Sequence, residues 1–497
     1  MMFRSKAARI ILSAYFLCTG SLCAYSETKE VVSEGISDPR RVSINDCVVF
    51  AIENSFEVKL ARLDLYIAET GLMYSEAVFD TFLSGGYKYS EDRRKRISSA
   101  LSKYDYINSY YAGIEKTLPS GTEVGVKFTD ARSRLQTDYA GIGFYHVPEF
   151  SIDLKQPVGK NTFGYTDRGK ITLTRLAIEN AALDMQDKIE ALIAKVERAY
   201  WDLVHAKRRL SILDGILEKA RKLHGVNEKN YDLGLIEKVD LVSSEANLAR
   251  VEAEVLVAAN SYKRSEEDLK LLMNMGEGID IVPGDILNSP ILDEDLPECI
   301  KESFLMRRDY KEAVRDTEIK GLNLKMKENE TWPEIDIVSS MALNGLEADA
   351  GNAMSEIVEG QNPYYYVGLD VKVPLENKEA RSEAIKAKHE KEKALVTLKD
   401  IERKIITEVG NAFREVVTFE ASLVYISSAV KLQAEKLSEE EKRFNYGRSS
   451  TKTIIDYQND LLRTELEEAG YFLEHRKSKV DLERSMNVIL GKYEEII

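Results

Sequence analysis

The residues able to do chemistry are few and scattered. The five histidines stand at 146, 205, 224, 389 and 475, with no metal-ligand spacing among them. No glycine-rich phosphate loop and no nucleophile elbow occurs. The reading is a non-enzyme without catalytic, cofactor-binding or metal-ligating residues. Two carboxylates stand out because they close related stretches. Asp240 ends Tyr231-Asp-Leu-Gly-Leu-Ile-Glu-Lys-Val-Asp240, and Asp456 ends Phe444-Asn-Tyr-Gly-Arg-Ser-Ser-Thr-Lys-Thr-Ile-Ile-Asp456. Each stretch reads as a glycine turn between two long helical patterns.

Those turns need long helices to hold them, and the prolines show where such helices can run. All 10 prolines fall outside 158–282 and outside 375 to the C-terminus. Proline in a helix interior costs about 3 kcal/mol and removes a backbone donor. Within the second block Ile405, Val409, Ala412, Val416, Phe419, Leu423, Ile426 and Val430 alternate steps of four and three, as in the seam of a coiled coil. Ile189, Ile193, Val196, Tyr200 and Leu203 do the same in the first. Leu241, Leu248, Val255, Tyr262 and Leu269 recur every seven residues, which implies left-handed supercoiling. The first arm, roughly 168 to 230, should reach on the order of 90 Å.

Residues 1–26 read as an export signal. Arg4, Lys6 and Arg9 precede the apolar run Ile10 to Leu22, and Ala24-Tyr-Ser26 supplies small residues for cleavage. Cys18 and Cys23 each follow a leucine, a poor match to a lipid-anchor signal. No later stretch is apolar enough to span a bilayer as a helix, and mean hydropathy is −0.31. A membrane form must then be a closed β-barrel, the other architecture that satisfies every backbone group in lipid. The net charge of −15 argues against nucleic acid as a partner.

Cys47 and Cys299 remain after the signal, and they expose an internal repeat. Each opens a similar short-helix pattern, and they lie 252 residues apart. The tip glycines, Gly234 and Gly447, are 213 apart, so 39 extra residues enter the first repeat, mostly between about 80 and 153. Two buried thiols are favoured over a disulfide, although an exported protein permits one. The organisation is therefore a 27–43 extension, repeat one over 44–275 with its long hairpin at 168–275, and a linker at 276–297. Repeat two follows over 298–491 with its hairpin at 378–490, and 492–497 is a tail.

Between the short helix and the long hairpin of each repeat the sequence turns β-like. Repeat one has Thr81–Tyr89, Tyr110–Thr117, Glu123–Phe128 and Phe150–Lys155; repeat two has a run from Glu334 and another at Tyr365–Val373. Leu369, Val371 and Val373 alternate with Asp370 and Lys372, which suits a barrel wall that is apolar outside and polar inside. Tyrosines crowd these runs, as aromatic girdles do. A soluble sheet with one wet face is the other reading. The segment near 103–140, with Leu118-Pro-Ser-Gly-Thr122 as its turn, looks like an added hairpin.

Taken in order, the mature chain resembles the TolC-like outer-membrane efflux protein family. The resemblance rests on the duplicated arrangement over roughly 40–491. Locally it rests on Ala61–Thr70, Gln156-Pro157, Asn230-Tyr-Asp-Leu-Gly-Leu235 and Asn445-Tyr-Gly447. It implies a mixed α and β membrane protein, with strands contributing to a trimeric outer-membrane β-barrel and helical hairpins forming a periplasmic tunnel. It also implies an exit duct for efflux or type I secretion. The implied partners are two further copies, outer-membrane lipid, a periplasmic adaptor and an inner-membrane pump.

The resemblance places adaptor docking at Leu233, Gly234, Leu235, Tyr446 and Gly447, and a periplasmic gate at Asp240 and Asp456. The match is incomplete. The family's second-tip pattern carries an acid where Thr453 stands and an arginine where Ser449 stands, while Arg448 comes one place early. The Arg93-Arg-Lys-Arg96 run would lie in an outward loop, where solvent is favoured over a lipopolysaccharide phosphate. A secreted periplasmic coiled-coil protein without channel activity is the alternative; it leaves the tyrosine-rich strands unexplained.

Overall fold

A computed structural model of the chain describes residues 40–94, 104–136, 141–276, 278–288 and 295–493. The export signal, most of the 27–43 extension, Lys95 and Arg96 lie outside the described residues. Strand β1 (Arg40–Val42) leads into helices α1 (Ile44–Asn54) and α2 (Phe56–Glu76). Strands β2 (Thr81–Asp92), β3 (Tyr104–Thr117), β4 (Glu123–Gln136) and β5 (Gly141–Pro157) follow, then helices α3 (Tyr165–Asp232) and α4 (Lys238–Met273). After β6 (Ile281–Pro283) come α5 (Leu296–Met306), α6 (Arg308–Glu330), β7 (Glu334–Asn344), α7 (Ala350–Val358), β8 (Pro363–Lys372), α8 (Lys378–Asn445) and α9 (Thr451–Met486).

The proline-free blocks are the two long hairpins. Helices α3 and α8 are 68 residues each, and α4 and α9 are 36 each. At 1.5 Å per residue the long arms run about 100 Å and the short arms about 54 Å. Ile189, Ile193, Val196, Tyr200 and Leu203 are all buried. So are Ile405, Val409, Ala412, Val416 and Leu423, whereas Phe419, Ile426 and Val430 are half-buried. In α4 the heptad column from Leu241 is half-buried until Leu269. The column three residues on, Ser244, Val251 and Ala258, is the buried one. Small side chains there let the neighbouring helix close in, and the larger column flanks the contact.

Each single short helix expected from sequence is a pair. Ser55 breaks α1 from α2, and its side chain caps the second helix by accepting from the Glu57 amide at 3.1 Å. Arg307, with extended backbone but no side-chain cap, breaks α5 from α6. Where they are described, the end of the extension and the start of the inter-repeat segment hold two short strands that the sequence did not suggest. β1 pairs in parallel with β6, and Tyr200 Oη donates to Val42 O at 3.1 Å beneath them. Three-residue strands are too short for any periodic signal. The C-terminal segment begins docked, with Tyr493 Oη donating to Glu197 at 2.6 Å.

Cys47 and Cys299 are buried thiols in separate core clusters, the first around Leu192 and Tyr200 and the second around Ile405 and Val416. Burial, with help from Asp46 and Asp285, pushes the Cys47 thiol up to about 12. Between the hairpins lies a buried ionic knot. Glu190 of α3 is fully buried, accepts from Arg308 of α6 at 2.5 Å, and lies 3.8 Å from Arg484 of α9. Arg484 also grips Asp187 at 2.8 and 2.9 Å. A buried carboxylate needs such partners, because its desolvation is otherwise uncompensated.

The remaining strands form one antiparallel sheet in the order β2-β3-β4-β5-β7-β8. Register fixes which side chains share a face. One row reads Leu83, Ile114, Val126, Ile152, Met341 and Tyr365. The adjacent row, on the opposite face, reads Phe82, Glu115, Gly125, Asp153, Ser340 and Tyr366. Around this row the first face is apolar across all six strands, and it turns polar farther along β4 at Asp130, Arg132 and Arg134. The second is polar, carries the Lys155–Asp336 ion pair at 3.1 Å, and is hollowed by a basin of about 650 Å³. The 103–140 segment is β3 and β4, joined where expected by a turn in which the Gly121 amide donates to Leu118 O at 2.7 Å.

Helix α7 was not singled out in the sequence, although Ala350, Ala353, Met354, Ile357 and Val358 follow helical spacing. Its nine residues are capped by Asp349, which accepts from the Gly351 and Asn352 amides at 3.0 and 3.1 Å. It packs so closely on Gly345 that a side chain there would collide with the Ala353 carbonyl. Of the basic run, Arg94 forms a two-pronged pair with Asp92 at 2.9 and 2.8 Å, and Arg93 pairs with Glu91. Among the described residues, no helix is long and apolar enough to cross a membrane.

Candidate functional site at the hairpin tips

Both tips are built by the same device. At the first, the Gly234 amide donates to Tyr231 O and the Leu235 amide to Asn230 O, each at 2.8 Å. At the second, the Gly447 amide donates to Phe444 O and the Arg448 amide to Arg443 O, each at 2.9 Å. These paired bonds close the last helical turn in a Schellman motif, which needs a left-handed residue just past the helix. The glycines supply it, with φ of +70° at Gly234 and +72° at Gly447.

The restart differs between tips. Ser450 caps α9, its side chain accepting from the Thr453 amide at 3.3 Å and lying 2.9 Å from the Thr453 hydroxyl. Helix α4 begins after Glu237 without a side-chain cap. Thr453 thus serves the cap at the position where the resemblance leads one to look for an acid.

The turns present apolar side chains to solvent. Leu233 is 72% exposed, Leu235 70% and Tyr446 80%. Val239, at 63%, extends the patch and was not singled out in the sequence. Behind the tips a groove of about 430 Å³ runs between the hairpins, lined by Leu223, Val226, Phe444 and Ile454 together with Lys219 and Glu441.

Asp240 is the third residue of α4 and half-buried, while Asp456 is the sixth residue of α9 and exposed. The three-residue difference sets the carboxylates about 4.5 Å apart in depth along their helices. Sequence reading missed the joint beneath them. Asn227 of α3 donates to the hydroxyl of Thr451, the first residue of α9, at 3.2 Å, and both are buried. The signal was present: Ile216, Ala220, Leu223 and Asn227 follow one seam at four-three-four spacing, and the last is polar. A polar residue on a seam fixes register and partner. Arg250 of α4 adds a second tie, to Asn459 of α9.

Among the described residues no group of three or more His, Cys, Asp or Glu side chains is arranged to hold a metal. The constructed features are the turns, their apolar surface, the carboxylates behind them and the two-faced sheet at the other end.

Residues 166–275, which hold the first hairpin, match the family model described as outer membrane efflux protein. No curated protein matches the chain in sequence. Several solved structures share its fold. The CmeC outer membrane channel of Campylobacter jejuni is 13% identical with a TM-score of 0.65, over 93% of this chain and 90% of that one. VceC of Vibrio cholerae, an outer membrane protein, is 13% identical with a TM-score of 0.65, over 89% and 96%. The open-state MtrE outer membrane channel of Neisseria gonorrhoeae is 14% identical with a TM-score of 0.63, over 93% and 97%. With its hairpins, two-faced sheet and matched first hairpin, the chain carries the fold of outer-membrane channels and bears, over residues 166–275, the mark of the outer membrane efflux protein family.

Proposed function

We propose that the chain is the outer-membrane exit duct of an efflux or type I secretion system, working as a homotrimer. The observation that carries this is the continuity of two surfaces in one molecule. A sheet with one apolar and one polar, concave face suits a wall between lipid and a water-filled passage. Helices of about 100 Å run on from that wall, the reach a periplasmic conduit requires. A coiled-coil protein without channel activity has no use for a sheet whose apolar face is continuous over six strands.

Trimer formation is supported by apolar side chains that one copy leaves in water. Phe56, Leu63, Ile67 and Tyr74 along α2, and Val417, Val424 and Leu432 along α8, are all exposed. Contiguous surface of this kind marks an interface. The repeat organisation belongs to the same reading, since two similar hairpins per copy would give six around the tunnel.

At the far end Leu233, Gly234, Leu235, Tyr446 and Gly447 receive a periplasmic adaptor, which recruits an inner-membrane pump. Asp240 and Asp456 face the narrowing passage as two tiers of carboxylates that hold cations and resist anions. The test is direct. The protein should fractionate with the outer membrane, require detergent for extraction, and scatter light as a trimer that heat dissociates. A monomer in mild detergent would sink the proposal.

A further inference from the structure

The 39 residues that distinguish the first repeat could have formed a loop, a plug or an external ornament. Their strands are instead built as wall. On β3 the face bearing Tyr110, Ala112 and Ile114 is continuous with Asp130, Phe128 and Val126 on β4, their direct partners. It continues onto Leu83 and Gly85 of β2 and onto Phe150 and Ile152 of β5. On the reverse of the same two strands lie Glu115, Lys127 and Thr129, in register with Asp153, Ser151 and Glu149 of β5. A plug would be polar on all sides, and an external hairpin would not share the polar concave face. Over Tyr110–Glu115 of β3 and Val124–Thr129 of β4 both faces thus obey the same alternation as the strands on either side; past them Asp130, Arg132 and Arg134 turn the first face polar.

The sheet is also open in a specific way. Among the described residues, β2 and β8 have no strand on their outer sides. They are 12 and 10 residues long, enough to cross a bilayer. In lipid, unpaired edge groups have no water to turn to, so such edges must be closed. With six strands in antiparallel order, the first and last run in opposite directions. A rotation about an axis through the barrel therefore brings β8 of one copy antiparallel to β2 of the next, and the pattern continues unbroken.

We infer that β8 of each copy pairs with β2 of its neighbour, and that the β3–β4 hairpin lies in the wall, so that three copies close an 18-stranded barrel. This rests on the three-copy assembly proposed above. The same ring without β3 and β4 would hold 12 strands. Barrel diameter grows roughly linearly with strand number, so the hairpin widens the passage about 1.5-fold and its cross-section about twofold. The hairpin is then a bore-setting element, and the membrane end admits wider solutes than a ring lacking it.

Two measurements on the full-length protein test this. Electron microscopy of the protein in lipid nanodiscs, viewed down the axis, should resolve 18 strands, whereas a ring of 12 with the hairpin lying outside or inside it would overturn the inference. Copy number is read separately by light scattering. Cysteine pairs then probe the seam: Leu83→Cys or Tyr87→Cys, each combined in turn with Tyr365→Cys, Val367→Cys or Leu369→Cys. All five positions lie on the apolar face, so a β8–β2 seam should link copies covalently for at least one combination. A trimer in which no combination links copies, and whose image lacks the seam, overturns the pairing while leaving the exit-duct reading intact. A particle that is not a trimer overturns both.

Discussion

Gly447 offers a clean perturbation, because nothing lies within 4 Å of where a Cβ would project. A side chain there meets no neighbour, and its whole cost is the backbone at φ +72°. For an L-residue the left-handed region costs roughly 1–2 kcal/mol. Asn tolerates that region better than Ala, and a β-branched residue worse. Strain of this size should loosen the two bonds that define the turn, from the amides at 447 and 448 to Phe444 O and Arg443 O. At 1.4 kcal/mol per tenfold, those amides should exchange with solvent about 5- to 30-fold faster in Gly447→Ala. They should speed only a few-fold in Gly447→Asn, and most in Gly447→Val. Hydrogen exchange read by mass spectrometry on peptides covering 443–450 measures this, with sheet peptides as an internal control that should not change. Export should fall in the same rank order, because a loosened tip misplaces Tyr446 for the adaptor. Equal protection in all three variants and the parent would refute the claim that the glycine closes the hairpin. Normal export by Gly447→Val, with adaptor crosslinking intact, would remove the docking role.

Removing Arg308 leaves Glu190 buried with one distant cation, so Arg308→Met should cost about 3–5 kcal/mol, while Arg308→Met/Glu190→Met should recover most of it. Helix melting by circular dichroism decides the point, and a loss under about 1 kcal/mol in the single variant counts against the knot. His475 is fully buried, and burial, followed by the nearby Lys479 and Arg476, lowers its pKa from 6.5 to about 4. Its neutral form is favoured in the fold, so this contribution is complete above pH 6.5 and is lost as pH falls towards 4. His475→Gln should therefore flatten the pH dependence of thermal stability in that window, and an unchanged profile would assign the acid lability to other groups. In planar bilayers, Asp240→Asn/Asp456→Asn should lose cation selectivity and cation block; if both persist, the constriction lies elsewhere.

The long elements were legible because their signals are long. Two proline-free blocks and seams of five to eight residues located four helices of 36 or 68 residues. All six wall strands were visible as β-like runs, with alternation plain at Leu369–Val373, although several ran shorter in the sequence than in the sheet. β4 was read as ending at Phe128 but continues to Gln136, because Arg132 and Arg134 interrupt the apolar alternation. What stayed hidden was short or relational. β1 and β6 are three residues each and exist only as partners. Helix α7 does carry helical spacing at Ala350, Ala353, Met354, Ile357 and Val358, but over only nine residues, and a cap and a close approach at Gly345 fix its place. At the tips the glycines could be read directly. The Asn227–Thr451 joint needs two residues 224 positions apart, and no local window shows it. The unequal depth of Asp240 and Asp456 could also be read directly, because both helices restart at the same distance past their tip glycines, at Lys238 and Thr451, while Asp456 stands three residues deeper in its helix than Asp240.

The equal lengths of α3 and α8, and of α4 and α9, make the hairpins a matched pair of rulers. Excising one heptad from both arms of one hairpin would leave its tip about 10 Å short of the other while keeping every seam in phase. An adaptor would then meet a staggered rim in place of a level one. Excising three or four residues would add a second fault, turning the seam away from its partner. The distance this molecule spans can therefore change only in steps of seven, taken in all four arms together. A change in the width of the periplasm would have to be met by coordinated insertions at four distant sites in one gene, or not at all.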